Sequence, residues 1–161
     1  MALFALPLLA GRARRAAECR AAYADGLLFA CHPTKWGGLN AFADQLRGAL
    51  PEGTVVLSRK PTLFWALSGY RSRMYPLSAD PEVLLRAARD AGARYLVFDQ
   101  SGESVRYLLR AVRARREAFC MVPGVRNEYA ALVRVGTDGP PLSPDTPPNR
   151  YRVCEPGPYA R

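Results

Sequence analysis

The chain is short of the residues from which most active sites are built. Its 161 residues include one histidine, His32, and only two lysines, Lys35 and Lys60. The four cysteines, Cys19, Cys31, Cys120 and Cys154, stand far apart with no Cys-x-x-Cys pair, which argues against structural zinc. Cys31 and His32 are adjacent, but sequence neighbours rarely face each other as nucleophile and base, and no third orienting group is legible beside them. They read as loop residues. An even cysteine count permits disulfides, yet the spacing assigns no pairing and a chain of this length does not need them for stability. The redox compartment is left open.

Signatures for nucleotide and acyl chemistry are missing too. There is no Gly-x-Gly-x-x-Gly, no phosphate-loop signature, no Gly-x-Ser-x-Gly elbow and no convincing carboxylate pair. No cofactor is expected. The amino-terminal run Met1 to Ala10 is too short to cross a bilayer, which takes ~20 apolar residues in a helix. As a secretory signal it is inverted, since its arginines, Arg12, Arg14 and Arg15, follow the apolar run instead of preceding it and no small-x-small cleavage site is clear. Three readings remain: an apolar helix docked on the domain, an interfacial anchor, or the end of a transmembrane helix that begins before this chain.

What is present is ordinary for a globular protein, with 49% apolar and 23% charged residues. Lysine and arginine together number 23 against 14 acids, a net charge of +9, and 21 of the cations are arginine. A bias that strong, beside abundant Ala, Gly and Pro, fits GC-rich coding as well as phosphate contact, and nucleic acid is not expected as a partner.

Periodicity organises the middle of the chain. Ala16 to Tyr23 reads as helical, Leu27 to Cys31 is a short apolar run, and His32 to Lys35 is a break. Leu39, Phe42, Ala43, Leu46 and Leu50 form the stripe of an amphipathic helix that stops at Pro51-Glu52-Gly53. Thr54 to Ser58 is a buried strand, Leu63 to Leu67 a helical turn, and Arg73 to Leu77 a second strand. Asp80 caps a helix with Pro81 at its first position, an apolar stripe from Val83 to Ala91, and Gly92 as its stop. Ala93 to Asp99 is the clearest strand. Ser101 caps the next helix, with Val105, Leu108, Leu109 and Val112 inward and Arg106, Arg110, Arg113 and Arg116 outward. Phe119 to Val122 and Glu128 to Val135 form a closing antiparallel pair.

This alternation predicts an α/β fold, a small Rossmann-like three-layer sandwich with a mainly parallel sheet and an antiparallel edge hairpin. Residues 1–35 form a lead-in and 36–135 the domain. Residues 136–161, which hold seven of the prolines, read as a mostly disordered tail. Ligands of open α/β sheets gather beyond the carboxyl ends of strands, which singles out two loops. Ser58-Arg59-Lys60-Pro61 offers two cations, and Asp99 to Ser104 offers the start of a helix, with Ser101 and Gly102 as anion contacts and Glu103 opposing them. Both signals are weak, and simple capping and solvation explain the residues better.

Five stretches together resemble a known family. They are Asn40 to Asp44, Thr54 to Pro61, Leu63 to Gly69, the neighbourhood of Arg71-Ser72 and Tyr75-Pro76, and Gly92 to Asp99. They resemble the carboxy-terminal soluble domain of bacterial dolichyl-phosphate-mannose protein mannosyltransferases and their lipid A aminoarabinose transferase relatives. The likeness covers about residues 36 to 135. It implies a membrane glycosyltransferase that uses a polyprenyl-phosphate sugar on the extracytoplasmic face, with its catalytic acid in a membrane part that this chain does not contain. The expected role is therefore a non-catalytic accessory domain beside that membrane part or a lipid surface. Arg59, Lys60, Arg71 and Arg73 would contact lipid phosphate. The alternatives are a free-standing module for phosphate or nucleotide, and adhesion through the arginine-rich helix face.

Overall fold

A computed structural model describes residues 5–24, 35–136 and 151–155. The Leu27–Cys31 run, the Cys31–His32 pair, the first four residues and most of the proline-rich tail lie outside them. The elements in order are α1 (Ala5–Ala24), α2 (Lys35–Gln45), β1 (Val55–Ser58), α3 (Pro61–Ser68), β2 (Arg71–Met74), α4 (Pro81–Ala91) and β3 (Ala93–Asp99). A π-helical turn (Ser104–Leu108), α5 (Leu109–Ala114), β4 (Phe119–Arg126) and β5 (Ala130–Val135) follow. Among the described residues no helix is long and apolar enough to cross a membrane.

The strands form one sheet in the order β2-β1-β3-β5-β4. β1 pairs in parallel with β2 and β3, while β5 runs antiparallel to both β3 and β4. Four strands therefore point one way and β5 alone is reversed. Side chains alternate across the sheet and build a core on each face. Val56, Tyr95, Val97 and Leu132 pack with Leu39, Phe42, Leu46 and Phe64 from α2, its following turn and α3. On the opposite face, Leu57, Leu96 and Val133 pack with Leu84, Leu85 and Ala88 of α4 and with Leu108, Ala111 and Val112. The result is the three-layer Rossmann-like sandwich expected from the alternation.

Local chemistry sets the boundaries. Asp80 accepts from the Glu82 N–H at 2.9 Å, Pro81 occupies the first helical position, and Gly92 ends α4 with a left-handed φ of 62°. α2 stops at Gln45, earlier than its apolar stripe suggested, because tight turns follow and Gly48 adopts φ 73°; Leu46 and Leu50 are buried nonetheless. β2 also differs from expectation, covering Arg71–Met74 and not Arg73 to Leu77. It starts two residues after the left-handed Gly69 and pairs with the four residues of β1, and Pro76 has no N–H to extend the ladder. Val105 faces outward, 48% exposed, where the stripe placed it inward. Ser104 takes the inward position one residue earlier, held by a bond to the buried Tyr75.

One sheet edge is covered. Cys120 of β4 is bonded to Cys154, and the 151–155 segment lies along the strand, with Met121 N–H donating to Arg152 and Cys154 N–H to Met121. Gly124, with φ 75°, and Pro123 lie where the β4 register shifts. At the other edge no described segment pairs with the outer side of β2.

Candidate functional site

β1 and β3 lie side by side in the same direction, yet the chain leaves them toward opposite faces. β1 leads to α3, which packs in the core of α2, and β3 leads to the π turn and α5 in the core of α4. This is the switch point of the sheet, where an open crevice forms in folds of this kind. Both loops singled out in the sequence arrive here.

The crevice is closed by its own residues. Arg59 donates through Nη1 to Glu103 Oε2 at 2.5 Å, and the Arg59 side chain is only 13% exposed. The Glu103 carboxyl is held below the usual carboxylate range, first by its own backbone N–H, then by the charge and hydrogen bond of Arg59 and the charge of Lys60. Asp99 is buried at the end of β3 and accepts the Ser101 N–H at 2.8 Å. Ser101 in turn caps the helical segment, its hydroxyl accepting the Ser104 N–H at 3.2 Å. Two N–H groups that a bound anion would use are thus taken, and Glu103 adds a negative charge where the anion would sit.

Beneath this loop Tyr75 and Ser104, both fully buried, share a hydrogen bond of 2.9 Å. Burial pushes the Tyr75 phenol above its ordinary value of 10.0, the nearby Asp99 charge pushes the same way, and the Ser104 bond opposes them. The sequence places Tyr75 in the family resemblance and Ser104 in the Asp99 to Ser104 loop, but neither is among the anion-contact candidates and nothing local links them. They lie 29 positions apart, and only the packing of the turn after β2 against the π turn brings them together.

The six sequence candidates therefore separate. Arg59, Ser101 and Gly102 belong to the crevice. Lys60 is exposed and borders a small space between α2 and α3, beside Ser58 and the buried Asn40. That space, about 10 Å³, is the size of a single water, and the Asn40 Oδ1 has no protein hydrogen-bond partner. Arg71 and Arg73 are exposed on the edge strand, in register with Val55 and Leu57.

A separate apolar cavity of about 140 Å³ lies under Tyr151, walled by Phe98, Leu109, Val112, Phe119 and Met121. Among the described residues no cluster of His, Cys, Asp and Glu could hold a metal ion. No family model, curated protein or solved structure matches this chain.

Proposed function

We propose that this chain is a non-catalytic, extracytoplasmic accessory domain of a membrane glycosyltransferase that uses a polyprenyl-phosphate sugar. The observation that carries the reading is the Cys120–Cys154 disulfide, which fastens the 151–155 segment to the outer strand of the sheet. Such bonds persist in oxidising compartments and are rare in reducing ones. Cys19 is disulfide-bonded as well.

Two further features support it. The stretches that resemble the transferase family, between Asn40 and Asp99, fall on α2, β1, α3, β2 and β3, and the three strands among them are neighbours in the sheet. The switch-point crevice is filled by the Arg59–Glu103 pair, in keeping with a domain whose chemistry resides elsewhere. That pair also weighs against a free-standing phosphate module, since the ligand would have to displace Glu103 from Arg59.

The test is thiol labelling of the chain in its native cells. Cys120 and Cys154 are expected to resist alkylation until a reductant is added. Free, readily alkylated thiols at both positions would place the domain in a reducing compartment and refute the reading.

A further inference from the structure

The exposed apolar side chains are not spread evenly. Among the described residues six large apolar side chains are exposed, and four of them, Leu63 (40%), Trp65 (55%), Met74 (52%) and Leu77 (49%), fall within one short stretch around α3 and β2. The same stretch is purely cationic. Between Glu52 and Asp80 there is no acidic residue, while Arg59, Lys60, Arg71 and Arg73 all lie there. Arg59 is turned into the crevice, which leaves Lys60, Arg71 and Arg73 exposed at this end of the molecule.

The fold brings part of this set to the uncovered edge: Met74, Arg71 and Arg73 lie on the edge strand, while Leu63 and Lys60 border the space between α2 and α3. α3 packs on β2, and Phe64 and Ser68 are its buried side. Leu67 turns toward α2, so helical spacing puts Trp65 on the opposite flank, above the edge strand. Met74 pairs with Ser58 and shares its face of the sheet, the α3 side, while Arg71 and Arg73 project from the same strand on the other side.

We propose that this edge docks on the surface of a bilayer containing anionic phospholipid. Trp and Met enter the boundary between headgroups and acyl chains, and the long arginine stems let their charges reach lipid phosphates. A second copy of the chain is the poorer occupant. Antiparallel pairing of two β2 edges centred on Ser72 would set Arg71 of each copy against Arg73 of the other, with like charges opposed. The inference deepens the membrane-proximal reading above and rests on it for the biological setting. Vesicle binding by the chain alone needs no transferase, so a negative result removes this surface without touching the compartment assignment.

The experiment uses the full chain carrying Trp36→Phe, which leaves Trp65 as the single tryptophan. It is mixed with vesicles of equal parts phosphatidylglycerol and phosphatidylcholine, or of phosphatidylcholine alone. Binding is expected to the anionic vesicles only, to weaken with salt, and to bring Trp65 within reach of quenching by bromine-labelled acyl chains. Each surface cation contributes roughly fivefold in affinity, so Arg71→Gln with Arg73→Gln is expected to weaken binding by about 25-fold. Arg106→Gln with Arg110→Gln, an equal charge change on the π turn and α5, is expected to leave it nearly intact. Equal binding to neutral vesicles, an equal loss in the Arg106→Gln, Arg110→Gln variant, or binding without Trp65 quenching would overturn the proposal. So would absence of binding by a chain whose melting temperature matches the parent.

Discussion

Arg59 and Glu103 are 44 positions apart in sequence, and their side chains meet at 2.5 Å where β1 and β3 part company. The pair ties the loop after one parallel strand to the loop after its neighbour. Glu103→Gln removes the charge that faces a largely buried guanidinium, and the variant is expected to melt at a lower temperature at neutral pH. The sign with pH follows from the lowered carboxyl. Its contribution is present above the ordinary Glu value of 4.5 and is lost as pH falls through the lower folded value. Urea midpoints of the parent and of Glu103→Gln should therefore converge between neutral pH and about pH 3. A gap that stays constant over that range would show that the ion pair contributes nothing.

Tyr75 and Ser104 are a neutral counterpart to that pair, buried and mutually bonded. Tyr75→Phe keeps the ring but strips Ser104 of its partner, at an expected cost of about 1–2 kcal/mol. Because the folded phenol titrates above 10.0, its stabilising effect is complete below that pH and is lost as pH rises through the folded value. The parent should thus lose stability between about pH 10 and 12 more steeply than Tyr75→Phe. Parallel alkaline profiles would contradict the assignment.

Gly38 illustrates a sign reversal. Alanine normally stabilises a helix relative to glycine by about 1 kcal/mol. Here a Cβ at position 38 would stand 2.0 Å from the Tyr129 ring and 2.6 Å from the Tyr129 Cβ, near the stem of that side chain. The Gly38 carbonyl also accepts from the Asn127 side chain at 2.9 Å. Gly38→Ala is expected to cost about 1–3 kcal/mol, and Tyr129→Ala in the same chain should recover most of it. Additive losses in the double variant would show that the two residues do not press on each other.

Much of this architecture is readable from residue patterns. Asp80-Pro81 and Gly92 bracket α4 by cap chemistry alone, and the apolar centre of Ala93 to Asp99 marks the strand that becomes the middle of the sheet. The misplacements have tertiary causes. Val105 is apolar and in phase with the stripe, but the Tyr75–Ser104 bond draws the inward position back by one residue. At the candidate site, Arg59 and Glu103 were each visible at a strand end, one as a possible anion contact and one as its opponent. Their pairing with each other depends on β1 lying beside β3, which no local spacing encodes. The Cys120–Cys154 bond is likewise a matter of which segment lies along β4.

The disulfide joins positions 34 residues apart. In the chain-entropy picture a loop of that size contributes about 3–4 kcal/mol, so Cys120→Ser with Cys154→Ser should lower the denaturant midpoint accordingly. Reduction of the parent should reproduce the loss. A variant as stable as the parent would show that the 151–155 segment adds nothing to the domain.

The proposal that this domain is part of a membrane glycosyltransferase is tested most directly in the genomic DNA upstream of the Met1 codon. A continuous frame containing several apolar segments of ~20 residues, each able to span a bilayer, is the expected result. A promoter and ribosome-binding site directly before Met1, with no such frame, would contradict it.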